Sequence, residues 1–429
     1  MKPGGSPSFC VVPWLHRLVN ERGFFKVCCV AEGEENFLIN RQGKRIHIQG
    51  DETEYEIFNS PRLKELRRKM LNGEWDPICT RCLIAERAGG SSSRTGRNEK
   101  FRHRMSDLLS ATAPDGTVAA PLVRHLDIRL GNHCNLTCRM CSPGASKLWI
   151  DSYDRVQPRH YRLGNDYLSA LGKIDWFRDP AVWHKFREQL HAIEWLHFAG
   201  GEPMMIPEMI QALRISIDSG FAKRINLSYT TNATVLPRAV TDLWPQFKSV
   251  SLACSIDGYG PVNEYIRRPS RWRALDRNLR TLDANFREWN LGQVFTNTTV
   301  QVYNVLDLDK LYAYLRSGFQ HILSVPLLTP LSWPAYLSVQ NLPPNIKEVT
   351  RERLLNEKTR EEYRNRPDVA WLLSSIDTLL AYMDRPPVKN HWKDFLSFTT
   401  RSDREFGDSF ARAAPEMTAL LAQAGLWNA

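Results

Sequence analysis

Apolar residues in the middle of the chain follow two alternating rhythms. Short stretches with a hydrophobic side chain at every second position are followed by longer ones with spacings of three and four. The first rhythm predicts strands over 124–130, 193–198, 224–230, 249–256, 293–302 and 322–328. The second predicts helices over 207–219, 238–247, 272–289 and 306–317. Strand then helix, repeated, argues for parallel βαβ units. Outside this region a strand is expected over 24–30, amphipathic helices over 346–364 and 368–384, and a last helix over 415–424.

The strands are not uniformly apolar. Leu126, Ile128 and Leu130 alternate with His125, Asp127 and Arg129, and Ile225, Leu227 and Tyr229 with Asn226, Ser228 and Thr230. Leu252, Cys254 and Ile256 alternate with Ser251, Ala253, Ser255 and Asp257. A parallel sheet covered by helices on both faces reads instead as continuous Val, Ile and Leu. One face therefore meets helices while the other lines something polar. The expected class is α/β, a full or partial barrel with a ligand-filled lumen and its reactive groups at the C-terminal strand ends.

Composition narrows the class. At 429 residues, 42% hydrophobic and 24% charged, the chain has material for two or three domains with real cores, which excludes collagenous and wholly disordered readings. No window has the apolar length of a membrane span, and residues 1–8 lack the apolar core of a signal peptide. A cytoplasmic protein is expected, where thiols stay reduced and nine cysteines point to metal or catalysis rather than disulfides. Breaks at 89–96, 111–121 and 342–347 divide the chain into a cysteine-bearing unit (1–110), a core (120–335) and a helical tail (345–429).

Charge adds less. The excess of 57 Lys+Arg over 47 Asp+Glu gives +10, and 60–105 alone holds twelve bases against five acids, an excess of seven. Such a cluster can bind phosphates or acidic peptides. However, Leu63, Leu66 and Met70 share one face of a predicted solvated helix, and no aromatic residues interleave with the bases, so nucleic acid is not favoured. The segment 153–189, rich in Trp, Tyr, Arg and His, is a candidate for part of a substrate mouth. The preferred reading is a surface helix pair with Trp176, Phe177, Trp183 and Phe186 packed inward.

The first core strand runs into Gly131-Asn-His-Cys-Asn-Leu-Thr-Cys-Arg-Met-Cys-Ser-Pro-Gly144, with Cys134, Cys138 and Cys141 spaced C-x3-C-x2-C. Three thiolates on one short loop can hold three irons of a cubane and leave the fourth iron open. A zinc site with His133 or a distant residue as fourth ligand is the alternative. Further motifs fall at successive strand ends: Gly200-Gly201-Glu202-Pro203, Thr230-Thr231-Asn232, Ser255-Ile256-Asp257-Gly258 and Asn304. On its own, Glu202 also reads as a carboxylate capping the helix that begins after Pro203 or Pro207.

Taken together, 124–328 resembles the radical S-adenosylmethionine (SAM) superfamily. The resemblance implies a partial (β/α)6 TIM-like barrel in which Cys134, Cys138 and Cys141 ligate a 4Fe–4S cluster with an open iron. It places Gly200, Gly201 and Glu202 at the methionine amino group of the cofactor. Asn232, Ser255 and Asp257 fall at its ribose or methionine part, and Asn304 at a further polar position. Met140 departs from the aromatic residue usual before the last ligand; a methionine can fill the same apolar slot. The implied chemistry is reductive cleavage of SAM to a 5′-deoxyadenosyl radical, which abstracts hydrogen from the substrate. The protein binds, aims and excludes water, and an electron donor such as flavodoxin or ferredoxin supplies the electron. Cys254 shares the parity of Leu252 and Ile256 and reads as a buried structural thiol rather than a hydrogen donor.

Cys10, Cys28, Cys29, Cys79 and Cys82 form a second set, with Cys79-Thr-Arg-Cys82 a C-x2-C turn. On spacing alone a zinc ribbon is an equal alternative. The stretch Cys10-Val-Val-Pro-Trp14, Gly23, Cys28-Cys29, Phe58-Asn-Ser60, Leu66-Arg67, Gly73-Glu74 and Cys79…Cys82 resembles SPASM and twitch auxiliary-cluster modules, in the shorter single-cluster form. Those modules normally follow the radical domain; here the match precedes it. By this resemblance Cys10, Cys28, Cys79 and Cys82 hold one auxiliary 4Fe–4S cluster, with Cys29 the less favoured second ligand. Relatives with such modules act on ribosomally made peptides, by oxidation, epimerisation or crosslinking, or on small carbinols. A peptide substrate is the leading expectation. The alternatives are a sugar, nucleotide or other small molecule, RNA, or a zinc-bearing nucleic-acid-binding protein.

Overall fold

The structure is a computed structural model that describes residues 6–31, 33–387 and 389–427; residues 1–5 of the segment read above for a signal peptide lie outside it. Eight strands form one sheet: β1 (His16–Val19), β2 (Phe25–Lys26), β3 (His125–Arg129), β4 (Trp195–Ala199), β5 (Asn226–Thr231), β6 (Ser249–Ser255), β7 (Leu291–Val300) and β8 (Leu327–Pro330). Their order is β2-β1-β3-β4-β5-β6-β7-β8, and every pairing is parallel except that of β1 with β2. Helices Pro207–Asp218, Trp272–Ala284 and Leu308–Gly318 follow β4, β6 and β7. The fold is the expected mixed α/β partial barrel, built on β3–β8.

The alternation in the sequence becomes two chemically distinct faces. Leu126 pairs with Leu196, Leu196 with Leu227 and Leu227 with Val250, all buried on the helix-facing side. Burying each such side chain contributes roughly 1.5–3 kcal/mol. One residue along, Asp127 pairs with His197, His197 with Ser228 and Ser228 with Ser251, giving a polar row on the lumen side. His197 Nδ1 and Ser228 Oγ lie 2.9 Å apart within it.

Several boundaries differ from expectation for identifiable reasons. The strand expected over 24–30 ends at Lys26. Beyond it the Asn36 side chain replaces a ladder partner, accepting from the Cys28 amide (3.0 Å) and donating to the Cys28 carbonyl (2.9 Å). The strand expected over 322–328 lies instead at Leu327–Pro330. Asp283 takes the amides of His321 (2.6 Å) and Ile322 (3.0 Å), and Pro326 has no amide to offer. The helix expected over 238–247 is split into Arg238–Thr241 and a 3-10 turn, Trp244–Gln246, because Pro245 cannot donate. The break expected at 342–347 is shorter, since helix Pro344–Lys358 begins within it.

The N-terminal segment joins the barrel's sheet, with His16–Val19 in register with His125–Ile128. Helix Pro61–Leu71 buries Leu63, Leu66 and Met70 as read, and four of its five bases, Arg62, Lys64, Arg67 and Lys69, have partners inside the protein. Arg62 and Lys69 reach Asp76, and the wholly buried Arg67 donates to the carbonyls of Pro13 (3.1 Å) and Gly116 (2.6 Å). Trp176, Phe177, Trp183 and Phe186 are all buried, as the helix-pair reading requires. A second core joins the tail, through Ile376, Leu379, Phe395 and Phe398, to Tyr303 and Tyr336. Among the described residues no helix is long and apolar enough to cross a membrane.

Candidate active site

The cysteine loop leaves β3 at its C-terminal end and is gripped by the ends of the next strands. Glu202 donates its amide to the His133 carbonyl (2.7 Å). Gly201 (φ +53°) lies so close to that carbonyl that a Cβ would stand 2.2 Å from its oxygen, so only glycine fits this approach. Asn232, just after β5, donates to Asn135 Oδ1 (2.9 Å), and its Nδ2 lies 3.8 Å from Cys134 Sγ. Cys138 faces Cys141, and Arg267 Nη1 approaches Cys138 Sγ at 4.0 Å. The three thiols thus lie between the Glu202–Asn232 side and the Arg267 side. Burial pushes the Cys134 thiol up to about 12, and the Cys141 contact followed by burial holds Cys138 well above the ordinary thiol value. His133 turns its ring to Phe177 and lies 3.5 Å from Lys147 Nζ. Among the described residues no three His, Cys, Asp or Glu side chains close around a single metal-ion position.

Glu202 is wholly buried. Its Oε1 accepts from Thr231 Oγ1 (2.7 Å) and the Met204 amide (3.2 Å), and its Oε2 from the Asn232 amide (2.7 Å). The Met204 contact is the capping role also read in the sequence. Among the described residues no cation touches the carboxylate, and burial raises its pKa to about 7 against the pull of these donors.

The remaining polar positions divide. Ser255, half-buried at the end of β6, pairs in register with Asn297. Asp257 is occupied within the chain: Oδ1 accepts from the Thr299 amide (2.7 Å) and Oδ2 faces Arg267 Nε (2.8 Å). Asn304, expected on the cofactor side, is instead fully engaged with backbone. It donates to the carbonyls of Asp257 (2.7 Å) and Thr299 (3.0 Å) and accepts from the Gln301 amide (2.8 Å). Cys254 is buried with its thiol raised to about 12 by burial.

The second cysteine set also converges. Cys10, Cys28, Cys79 and Cys82 line one pocket, together with apolar Val12, Met70 and Ile78 and with Arg94. Burial raises Cys10 and Cys79 to about 12. Cys29 does not line this cavity; its Sγ accepts from Arg97 Nη2 at 3.1 Å, and Arg97 Nη1 lies 3.3 Å from His125 Nδ1 in the lumen. The donor set of the cavity suits a soft iron–sulfur group, and so does the three-thiol loop.

Arg97, Arg139 and Arg267 are site residues that spacing did not reveal. Arg139 sits inside the cysteine motif, but its carboxylate partners, Asp403 (2.7 Å) and Asp408 (3.2 Å), are more than 260 residues away. The Arg267-Arg268-Pro269 sequence carries no motif of its own.

Residues 128–308 match the model of the radical SAM superfamily. The chain carries a radical SAM domain and is an enzyme. Among solved structures, native anSMEcpe with bound AdoMet aligns at 16% identity over 55% of this chain and 60% of that one, with a TM-score of 0.37. Streptococcus suis SuiB bound to S-adenosylmethionine aligns at 14% identity over 77% and 67%, with a TM-score of 0.35. SuiB bound to precursor peptide SuiA aligns at 15% over 80% and 71%, with a TM-score of 0.34. The chain spans about three fifths of the length of anSMEcpe. No curated protein matches it.

Proposed function

We propose that the enzyme cleaves S-adenosylmethionine reductively and uses the 5′-deoxyadenosyl radical to abstract hydrogen from a peptide, in a maturation reaction of the oxidation, epimerisation or crosslinking type. The observation that carries this reading is the juxtaposition of the three-thiol loop with Glu202, a buried carboxylate that no cation among the described residues touches. In this reading Cys134, Cys138 and Cys141 hold a 4Fe–4S cluster with an open iron. When bound, that cluster supplies the electron that splits the carbon–sulfur bond of the sulfonium.

Glu202 receives the methionine ammonium, for which a charge-assisted hydrogen bond in a dry site is strong. Gly200 and Gly201 bring the backbone close enough to share that group. Asn232 steadies the Cys134 turn and presents its edge to the cofactor, and Ser255 faces the lumen at the same level. Asp257 acts through Arg267, and Asn304 holds the turn that carries Asp257. Cys10, Cys28, Cys79 and Cys82 hold an auxiliary 4Fe–4S cluster in a twitch-like unit within 1–110, ahead of a radical core at 120–335 and a helical cap at 345–429. The peptide preference rests on the likeness of the N-terminal cysteine pattern to auxiliary-cluster modules. A flavodoxin- or ferredoxin-type donor and a cytoplasmic setting complete the proposal.

The test is anaerobic reconstitution with iron and sulfide, reduction by dithionite, and chromatography for 5′-deoxyadenosine after addition of S-adenosylmethionine. Product is expected from the native protein. The reading fails if none forms, or if a variant with all three loop cysteines changed to alanine makes as much.

A further inference from the structure

The tail lies outside the matched domain, yet it reaches the cysteine loop at three points. Arg139, between the second and third cysteines, is 2% exposed. It pairs with Asp403 Oδ1 (2.7 Å) and Asp408 Oδ2 (3.2 Å), and its guanidinium stacks 3.6 Å from the Tyr265 ring centroid. Tyr265 Oη donates to the same Asp403 Oδ1 (2.8 Å). Trp149, whose Nε1 donates to the Cys138 carbonyl (3.2 Å), packs edge-on against Phe406. Arg268, whose carbonyl accepts from the Thr137 amide (2.6 Å), lies over the Phe406 ring and 3.6 Å from Asp408.

These contacts come from one short stretch, the end of helix Trp392–Phe406 and its cap. Gly407 ends the helix in the left-handed region (φ +68°), and the Asp408 amide returns to the Asp403 carbonyl (3.0 Å). The turn therefore sets two carboxylates side by side against one guanidinium. The loop residues they fix, Thr137, Cys138 and Arg139, are consecutive. A buried guanidinium stripped of its counter-ions is strongly unfavourable, so the loop conformation and the helix end are coupled.

We propose that Asp403 and Asp408 are positioning residues of the iron–sulfur site, and that the C-terminal helix is a strut fixing where Cys138 and Cys141 present their thiolates. This rests on the reading of Cys134, Cys138 and Cys141 as cluster ligands. The strut also sets the charge beside the cluster. The two carboxylates balance Arg139 and Arg268, and removing them leaves a net positive charge that favours the reduced, more negative cluster.

The experiment compares the full-length reconstituted protein with Asp403→Asn/Asp408→Asn, the milder Asp408→Asn, the conservative Asp403→Glu, and Glu416→Gln. The last breaks the Arg353–Glu416 pair elsewhere in the tail. Redox titration followed by electron paramagnetic resonance gives the potential of the signal that S-adenosylmethionine perturbs, and a ferrous chelator gives the rate of iron loss. The asparagine variants should shift that potential upward and lose iron about fivefold faster or more. Asp403→Glu should recover most of the difference, and Glu416→Gln should match the native protein. If the double variant does not fold by circular dichroism, Asp408→Asn alone decides. Native potential and native iron loss in a folded asparagine variant overturn the proposal, as does an equal effect of Glu416→Gln. If the native protein takes up no iron at the loop, the ligand reading itself falls, a result distinct from failure of the strut.

Discussion

Glu202 accepts the Asn232 amide at 2.7 Å, tying the end of β4 to the end of β5 beneath the cysteine loop. The carboxylate titrates at about 7 because burial outweighs its hydrogen bonds, against an ordinary value of 4.5. The fold therefore holds a proton on Glu202 that the unfolded chain releases at lower pH. The stabilising effect of that proton is complete below pH 4.5 and is lost as pH rises through 7. Above pH 7 the buried charge costs roughly 3 kcal/mol. Glu202→Gln should thus raise the melting temperature of the metal-free protein at pH 8 and change it little at pH 5, by differential scanning calorimetry. Binding of S-adenosylmethionine to the reconstituted enzyme should strengthen from pH 6 to 8, where the ammonium meets a carboxylate, and the Gln variant should be weak at both. A pH-independent affinity in the native protein would remove Glu202 from the ammonium site.

Adjacent cysteines face different environments. Cys28 lines the four-cysteine cavity while Cys29 bonds to Arg97. Cys28→Ser should lower the iron content of the reconstituted protein by the equivalent of one cubane, and Cys29→Ser should leave it unchanged. Iron and acid-labile sulfide analysis checks this. The reverse outcome would make Cys29 the ligand.

Arg267 and Asp257 form a buried ion pair beside Cys138. Arg267→Met leaves the Asp257 carboxylate uncompensated and should cost about 3–5 kcal/mol in urea unfolding of the metal-free protein. Arg267→Met combined with Asp257→Asn should recover much of that loss. Additive losses in the double variant would show that the two do not act as a pair.

Most of the barrel was legible because its strands carry their two faces in alternation. Leu126, Leu196 and Leu227 meet across one side, and Asp127, His197 and Ser228 across the other. The cysteine loop and the glycine–glutamate turn were legible because each is compact in sequence. What escaped depends on long-range pairing. Nothing local distinguishes Arg139 from a solvated arginine, since its partners lie near the end of a distant helix and just beyond it, a helix whose apolar face, Trp392, Phe395 and Phe398, is completed by Thr399 and Ser402. The partners of Asn304 escaped for a related reason. Its position after β7 suited a cofactor contact, but the backbone of Asp257 and Thr299 came within reach of its amide first. The end of β2 was lost to a side chain as well, because Asn36 imitates a strand at Cys28.

The most direct measurement on the central claim is the electron paramagnetic resonance spectrum of the dithionite-reduced, reconstituted protein before and after S-adenosylmethionine. A change in the cluster signal on addition is predicted, together with its loss in the Cys134→Ala/Cys138→Ala/Cys141→Ala variant. A reduced-cluster spectrum that S-adenosylmethionine leaves untouched, or one that survives removal of those three thiols unchanged, would contradict the account.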